Sequence, residues 1–408
     1  MATGRCTATR KKRVSMHVKG TTRPAIWLGL MGLIISATMV GYLTVPAWAL
    51  ETSAREAVII EAATGRILFE KNADQRMPPA SMSKLMTVYM VFSALRDGTL
   101  SLEDTFRVSE NAWTRGGAKS GSSTMFLEPN KLVSVESLLQ GIVVQSGNDA
   151  CIVVAEGIAG SEAAFAETMT AKAKKIGLTG SNFVNATGWP DPDQYMTAND
   201  LARLALLTIE EFPEFYHYYS ETEYTYNGIR QQNRNPLLYK GIGADGLKTG
   251  HTEEAGFGLT ASAIRNDRRI VAVLNGMASK KERSSESERL IDWAFREFKN
   301  YALFKSGDVV SDAEVWLGTT GRVPLAITQD VLITLPRKAR NDMRVSVRYE
   351  GPVSAPIVAG TPLAELVISA PGEKSITIPL VAGADVEALG LVGRLGAAIN
   401  FLIWGESG

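Results

Sequence analysis

Apolar residues alternate or recur at fixed spacings along most of the chain, and these patterns predict its helices and strands. Short, mostly apolar segments at 57–61 and 66–69, on either side of a turn at Thr64 and Gly65, predict a β-hairpin. Apolar positions three and four apart predict a helix over 81–96. Helical spacing recurs at 135–144, 150–158, 162–175, 197–209 and 285–298, and strand patterns at 223–227, 245–249, 258–264 and 269–274. We therefore expect an antiparallel sheet flanked by helices up to about residue 303.

From about residue 304 the pattern changes to short alternating segments, which predict a small all-β domain over 304–385. These segments are 314–317, 323–327, 331–335, 344–349 and 375–380. The last stretch, 386–408, is mostly apolar as far as Trp404 and predicts an amphipathic helix. It fits a helix lying in a membrane interface, where Trp, Phe and Leu anchor, and it also fits a helix packed on the β-domain.

The first 49 residues differ from the rest of the chain. Seven of the 43 basic residues and none of the 43 acidic residues lie there, followed by an apolar run over 26–45 and an Ala-x-Ala pattern ending at Ala49. This arrangement predicts a secretory signal peptide over 1–49, cleaved after Ala49. A retained membrane span and a start codon annotated too early are the alternatives. The remaining chain, 50–408, is long enough to form two domains.

Composition excludes several classes of function. Without its basic leader the chain is mildly acidic and has no basic patch for nucleic acid. Cys6 lies in the leader, so Cys151 is the only thiol of the mature chain and no intramolecular disulfide is expected. Cys151 lies in an apolar stretch and is expected to be buried and inert. With few His and Cys residues and no HExxH motif, we expect no metal and no cofactor.

A serine and a lysine three residues apart supply the first chemical signal. Ser81 and Lys84 share a face if Ser81 begins the predicted helix, and Pro78 and Pro79 favour a helix start there. Serine needs an adjacent base to become a nucleophile, and a lysine serves as that base when burial or a neighbouring cation lowers its pKa. Lys248 is a candidate for that cation.

Two further motifs complete an acyl-transfer site. In Ser146-Gly147-Asn148, the serine is a candidate proton relay and the asparagine amide a ligand for a substrate backbone. Lys248-Thr249-Gly250 lies in a predicted strand, where Lys248 and Thr249 would bind a terminal carboxylate. Gly250 would let a substrate strand approach closely. The backbone N–H groups of Ser81 and His251 are a candidate oxyanion pair, and the His251 side chain has a supporting role at most.

These motifs, in this order and with first residues 65 and 102 positions apart, resemble the low-molecular-mass penicillin-binding proteins of the D-alanyl-D-alanine carboxypeptidase family. The stretches 146–151, 226–227, 233–235 and 248–252 also resemble family sequence. The resemblance implies an α+β fold with a β-lactamase/DD-peptidase-like catalytic domain over 50–303. It also implies a β-rich C-terminal domain and an anchor helix that holds an exported enzyme peripherally on the periplasmic face of the inner membrane.

By the same resemblance, Ser81 is the acylated nucleophile and Lys84 its base. Ser146 and Asn148 form the second element, Lys248 the third, and Arg283 helps to bind the substrate carboxylate. The implied partners are peptidoglycan stem peptides as substrates and β-lactam antibiotics as covalent inhibitors.

Three alternatives remain open at this point. The same residues would serve an endopeptidase that cuts cross-links between stem peptides. A fast β-lactamase commonly deacylates through a glutamate and water. Glu156, Glu162 and Glu167 fall on predicted helices, and Glu210 and Glu211 end another, so none lies in a recognisable loop. A fast β-lactamase is therefore not expected, and a weak drug-hydrolysing side activity stays open. A non-catalytic cell-wall-binding protein would have no need of an intact Ser81, Lys84 and Lys248.

Overall fold

The computed structural model of the protein describes residues 50–404. The predicted signal segment 1–49 and its cleavage after Ala49 lie outside these residues. The chain folds into two compact units, each held together by its own internal contacts. The larger unit is Thr52–Phe304 with Asp330–Asn341, and the smaller unit contains Lys305–Gln329 and the chain from Asp342 onward. The expected domain limits near residues 303 and 385 stay a prediction.

Helices and strands fall in the order expected for an α+β protein. Within residues 50–404 the α-helices are α1 (Lys84–Arg96), α2 (Glu110–Gly116), α3 (Val135–Gln140), α4 (Asn148–Ala159), α5 (Glu162–Lys175), α6 (Ala198–Glu211), α7 (Lys280–Glu297) and α8 (Leu391–Trp404). The strands of the same residues are β1 (Glu56–Glu61), β2 (Arg66–Lys71), β3 (Thr105–Arg107), β4 (Leu132–Ser134), β5 (Glu223–Tyr226), β6 (Ile229–Gln232), β7 (Ala244–Thr252), β8 (Gly256–Arg265), β9 (Arg268–Met277), β10 (Phe298–Phe304), β11 (Val309–Trp316), β12 (Arg322–Ala326), β13 (Val331–Pro336), β14 (Arg344–Tyr349), β15 (Val353–Ser354), β16 (Pro362–Ser369) and β17 (Ile376–Ala382).

A five-stranded antiparallel sheet, in the order β2-β1-β9-β8-β7, forms the centre of the larger unit. Val271 and Val273 of β9 pack into the main hydrophobic core with α1 and α6. Ala272 and Leu274 alternate with them and are equally buried, because α7 packs against β8 and β9. The sheet is thus covered on both faces, and β7 is left as an edge strand.

Most of the predicted elements are present, with informative differences at their ends. The predicted helix 135–144 is α-helical only to Gln140 and continues as a π-helix over Gly141–Gln145. Helix α7 begins five residues before its predicted start at 285, because the Ser279 hydroxyl accepts a hydrogen bond from the Glu282 N–H and caps it. The Thr197 hydroxyl accepts a hydrogen bond from the Asp200 N–H and caps α6.

The smaller unit is all-β except for its terminal helix. Its sheet has the order β14-β16-β17-β12-β11-β15, and the sequence patterns missed β16. Strand β13 does not join this sheet but pairs with β10 in the larger unit. The expected terminal helix begins at Leu391 rather than at 386. Among residues 50–404, no helix combines the length and the apolar character required to cross a membrane. The α+β fold with its all-β second unit is confirmed.

Candidate active site

Ser81 lies on a turn that precedes α1. Residues Ala80–Ser83 form a 3-10 helix that leads directly into α1 at Lys84. In 3-10 geometry the side chains at i and i+3 eclipse one another, and the Lys84 Nζ donates a hydrogen bond to the Ser81 Oγ at 2.9 Å. The predicted α-helix start at Ser81 is therefore wrong, whereas the predicted contact between the two side chains is present.

Lys84 is fully buried and makes three hydrogen bonds with uncharged groups. Besides Ser81, its Nζ donates to the Asn148 Oδ1 at 2.7 Å and to the Thr187 carbonyl oxygen at 2.5 Å. Burial lowers the pKa of Lys84 to about 8, because a charged ammonium loses its hydration there. A useful fraction of neutral amine is then present close to neutral pH, as acceptance of the Ser81 proton requires.

Ser146 lies at the junction between the π-helical segment and α4. Its backbone is left-handed (φ 66°), which turns the chain sharply and brings the side chain into the site. The Ser146 Oγ is buried, and among residues 50–404 it has no hydrogen-bond partner. Its hydrogen-bonding capacity is therefore available to a bound molecule.

Asp149 holds this junction against a neighbouring loop. The buried carboxylate accepts hydrogen bonds from the Thr124 hydroxyl at 2.5 Å and from the N–H groups of Met125 and Leu127 at 3.0 and 3.1 Å. The Asn148 N–H donates to the Ser123 carbonyl oxygen at 2.7 Å. The sequence analysis included Asp149 only within the family-like stretch 146–151 and gave it no role. Its position inside an apolar stretch was a usable signal, since a buried charge requires partners.

Strand β7 places Lys248 and Thr249 along the same site. Lys248 is buried behind the cavity wall, and its Nζ donates to the Thr249 carbonyl oxygen at 3.1 Å. Burial, followed by the positive charge of Lys84, holds the pKa of Lys248 well below its usual value. Of this pair, Thr249 lines the cavity and is placed for direct contact with a bound molecule.

Gly250 packs against the turn that carries Ser81. A Cβ at this position would lie 2.9 Å from the Pro79 carbonyl oxygen and 3.1 Å from the Met82 Cγ. The missing side chain therefore makes room for the turn that carries Ser81. Gly250 also lines the cavity, and its role in the approach of a substrate strand stays a prediction. Its cross-strand partner Gly258 makes room for the same Met82 side chain.

The His251 side chain is exposed at the mouth of the site. Its ring stacks on Phe257 with centroids 3.8 Å apart. Partial burial and the nearby positive charge of Arg283 lower the pKa of His251, so the ring is neutral at neutral pH. No hydrogen bond joins it to Ser81 in the described part of the chain, and its supporting role stays a prediction.

Two arginines give the cavity a positive end. Arg283 of α7 is buried, and its Nε lacks a hydrogen-bond partner within residues 50–404. Burial and the charge of Arg234 lower the pKa of Arg283 to about 10. Arg234 donates from Nη1 to the Ser123 Oγ at 2.5 Å. In the sequence, Arg234 was identified only as part of the family-like stretch 233–235, with no role assigned to it.

A turn missed by sequence reasoning holds the carbonyl that binds Lys84. The Asn185 Oδ1 accepts hydrogen bonds from the N–H groups of Thr187 at 3.2 Å and Gly188 at 2.8 Å. This closes an Asx-type turn that directs the Thr187 carbonyl at the Lys84 Nζ. The sequence feature that could have indicated this turn is the Asn185-x-x-Gly188 pattern ahead of Pro190.

These parts enclose a cavity of about 670 Å³. Of the nine predicted site residues, seven line it: Ser81, Ser146, Asn148, Thr249, Gly250, His251 and Arg283. Lys84 and Lys248 lie buried behind the wall. Cys151 is fully buried and burial raises the pKa of its thiol to about 12, in agreement with an inert thiol. A nucleophile, an amine base, a free hydroxyl and a cationic end suit acyl transfer from a substrate that carries a carboxylate.

Comparison with family models gives two matches. Residues 44–279 match the D-alanyl-D-alanine carboxypeptidase peptidase model, and residues 298–388 match the model for the C-terminal domain of penicillin-binding protein 5. Together the two matches span most of the chain.

Individual relatives agree with these matches. The chain is 38% identical over 345 residues to the D-alanyl-D-alanine carboxypeptidase DacC of Escherichia coli K12. The matched region covers 84% of this chain and 86% of that protein. It is similar to the crystal structure of penicillin-binding protein 5 from Haemophilus influenzae, with a TM-score of 0.73 and 36% identity. That match covers 83% of this chain and 98% of the other. It is also similar to penicillin-binding protein D2 of Listeria monocytogenes in an ampicillin-bound form, with a TM-score of 0.53 and 30% identity. That match covers 60% of this chain and 98% of the other.

Proposed function

This chain belongs to the D-alanyl-D-alanine carboxypeptidase family, and we propose that it removes the terminal D-alanine from peptidoglycan stem peptides through an acyl-enzyme on Ser81. The observation that supports this most directly is the hydrogen bond between the Ser81 Oγ and the buried Lys84 Nζ. It joins a hydroxyl to an amine whose pKa burial has lowered, as nucleophilic catalysis by serine requires.

The proposed reaction has two halves. Neutral Lys84 accepts the Ser81 proton while the Oγ attacks the carbonyl carbon of the penultimate D-alanine. The tetrahedral intermediate collapses and its C–N bond breaks. The leaving nitrogen takes the proton that Lys84 received from Ser81, relayed through Ser146, whose Oγ is otherwise unpartnered among residues 50–404. Water then hydrolyses the Ser81 ester and releases the shortened stem peptide.

Electrostatics orient the substrate in this proposal. The C-terminal carboxylate of the substrate binds at the cationic end of the cavity, between Arg234, Arg283 and the Thr249 hydroxyl. Because the Asn148 Oδ1 already accepts from Lys84, its Nδ2 is the group that is left to donate to a substrate carbonyl. The backbone N–H groups of Ser81 and His251 are the proposed oxyanion donors, a device worth roughly 10² to 10³ in rate per donor.

We also propose that penicillins acylate Ser81, since they present a β-lactam carbonyl and, on the fused ring, a carboxylate to the same groups. The ampicillin-bound relative supports this assignment. Slow hydrolysis of that ester would appear as weak lactamase activity.

We propose that the leader exports the chain and that α8 holds it on the periplasmic surface of the inner membrane. Leu391, Val392, Leu395 and Ile399 of α8 are exposed, at spacings that place them along one helical stripe. An exposed apolar stripe on a terminal helix suits an interfacial anchor.

D-Alanine release from an acylated Lys-D-Ala-D-Ala peptide tests the reaction, with Ser81→Ala as the paired variant. We expect release by the unaltered protein and none by Ser81→Ala, and mass spectrometry should find a penicillin adduct only on the former. Cleavage of cross-linked dimers without D-alanine release would identify an endopeptidase. An adduct that survives in Ser81→Ala would place the nucleophile elsewhere.

A further inference from the structure

The stretch Asn233-Arg234-Asn235 places a cavity-lining arginine between two buried asparagines. Asn233 is 6% exposed and Asn235 is 1% exposed, whereas Arg234 is exposed and lines the cavity that contains Ser81. Consecutive side chains of an extended chain point to opposite sides, so the asparagines share one side and Arg234 occupies the other. The reaction proposed above gives Arg234 a role and gives its two neighbours none.

Asn233 closes the open end of the hairpin formed by β5 and β6. Its N–H donates to the Thr222 carbonyl oxygen at 2.8 Å, and its Nδ2 donates to the Glu221 carbonyl oxygen at 2.8 Å. The Tyr239 hydroxyl lies 2.9 Å from the Asn233 carbonyl oxygen and 2.8 Å from that of Thr222. The backbone from which the Arg234 side chain extends is therefore held in place.

Asn235 makes two local hydrogen bonds and one to a distant strand. Its N–H donates to the Asn233 Oδ1 at 2.9 Å, and its own Oδ1 accepts from the Leu237 N–H at 3.1 Å. These two bonds are ordinary turn chemistry for asparagine. Its Nδ2 donates to the Gly246 carbonyl oxygen at 2.8 Å, across 11 residues of chain. The third bond joins the hairpin to β7.

Gly246 lies where β7 is paired irregularly with its neighbour. The register between β7 and β8 shifts between Ala244 and Gly246. Lys248 and Thr249 follow Gly246 on the same strand. The Asn235 amide therefore holds the beginning of the strand that carries both of these residues, at a point where the sheet itself holds it less regularly.

Arg234 and β7 act on the same part of the cavity. Arg234 and the Thr249 hydroxyl both belong to the proposed binding site for the substrate carboxylate, and both residues line the cavity. After burial and the charge of Lys84, the charge of Arg234 is the next cause that lowers the pKa of Lys248. The relative position of Arg234 and β7 therefore matters for binding an anion.

We propose, resting on the carboxypeptidase function above, that Asn235 is a positioning residue that fixes Arg234 against β7 and so sets the preference for a substrate with a free C-terminal carboxylate. A carboxylate binds best when donors reach both of its oxygens at once, which requires their separation to be fixed. Asn235 does not line the cavity, so it acts through Arg234 and not by contact with the substrate.

Asn235→Ser tests this in the full-length protein. A serine hydroxyl can still accept from the Leu237 N–H, but it is too short to reach the Gly246 carbonyl oxygen. Asn72→Ser is the matched control, because the Asn72 Nδ2 also donates to a backbone carbonyl oxygen, at 2.9 Å, and Asn72 does not line the cavity.

Tyr239→Phe is a second variant that weakens the same frame. It removes only a hydroxyl, from a tyrosine that is 53% exposed, so the fold should persist even if Asn235→Ser does not fold. Thermal unfolding of each variant checks this.

The readout is competition with penicillin acylation of Ser81, by an acylated Lys-D-Ala-D-Ala peptide and by its C-terminal amide. The ratio of the two inhibition constants gives the preference for the carboxylate. We expect a preference of at least about tenfold in the unaltered protein, and a loss of about three- to tenfold in Asn235→Ser, as removal of one hydrogen bond gives. Tyr239→Phe should lower the preference in the same direction, and Asn72→Ser should leave it unchanged.

A double variant separates positioning from a general structural effect. If Asn235 acts through Arg234, adding Asn235→Ser to Arg234→Gln should change the remaining preference by less than about twofold. Losses that multiply in the double variant would overturn the proposal. So would an unchanged ratio in both Asn235→Ser and Tyr239→Phe, equal weakening of acid and amide, or no preference for the acid in the unaltered protein.

D-Alanine release is measured separately on the same proteins. A ratio that falls in Asn235→Ser, with no release by the unaltered protein, would contradict the carboxypeptidase reaction and leave the positioning role standing. Release with an unchanged ratio would do the reverse.

Discussion

A Cβ atom added to Gly188 would lie 1.9 Å from the carbonyl oxygen of Ala80. Ala80 precedes Ser81, and Gly188 follows Thr187, whose carbonyl accepts the hydrogen bond from Lys84. The backbone of Gly188 also has φ +76°, a conformation that L side chains rarely adopt. One glycine therefore sets the distance between the serine turn and the turn that positions its base.

Gly188→Ala should separate these two turns and slow acylation by tenfold or more, because small displacements of reacting groups are costly. Gly160→Ala is the matched control, since Gly160 has φ +78° with nothing within 4 Å of an added Cβ. That variant should lose about 1 kcal/mol of unfolding free energy and keep its acylation rate. Mass spectrometry of penicillin acylation measures the acylation rate of each variant, and thermal unfolding measures its stability. Equal acylation rates in the two variants would contradict the spacing role of Gly188.

Acylation of Ser81 should accelerate as the pH rises, with a midpoint near the pKa of about 8 for Lys84. Below that pH the amine is protonated and cannot accept the serine proton, and above it the neutral base predominates. The second-order rate of penicillin acylation between pH 6 and 9.5 checks this. Lys84→Arg keeps a permanent cation and should lower the rate by about 10² to 10⁴ at every pH. A flat pH profile in the unaltered protein would assign the base elsewhere.

Arg283→Gln should raise KM about tenfold or more for peptides with a free C-terminal carboxylate, because a buried cation that faces the cavity is lost. Arg234→Gln should act in the same direction. Neither should change the KM of the corresponding C-terminal amide, so the ratio of the two KM values separates carboxylate binding from general disturbance. Lys281→Gln, exposed on the same helix as Arg283, is the control and should leave the ratio unchanged.

Truncation after Asp385 should release the protein from membranes while D-alanine release continues, if α8 is the anchor. Leu395→Glu should weaken sedimentation with vesicles that contain anionic lipid, because a charge enters the apolar stripe. Val358→Glu makes the same change at a valine that is 66% exposed outside α8, and it should have no effect. Continued sedimentation of the truncated protein would count against the anchor.

The sequence predicted those parts of the site that depend on short spacings. Ser81 and Lys84 are three residues apart, so one helical turn brings them together whether its geometry is α or 3-10. Motif order identified Ser146, Asn148 and Lys248 as members of one site, although it gave none of their distances.

The sequence did not predict parts of the site that depend on contacts between distant segments. Glu162 was read as an ordinary helical glutamate, but the Ala186 N–H fixes it in a cavity beside Asn148. The close packing of Gly250 against the turn of Pro79 and Met82 was likewise not predicted. A spacing rule says which side chains share an element and says nothing about what another element places against them.

By itself, the sequence determined the α+β class, most of the helices and strands, and the set of groups that can perform acyl transfer, because periodicity and motif spacing are local properties of the chain. Only the tertiary structure decided how deeply Lys84 and Lys248 are buried, and therefore how far their pKa values fall. It also decided that Arg234 and Arg283 share one cavity and that Glu162 and Arg115 share another. Desolvation and charge pairing depend on the surroundings of a group in space, which packing of distant segments creates.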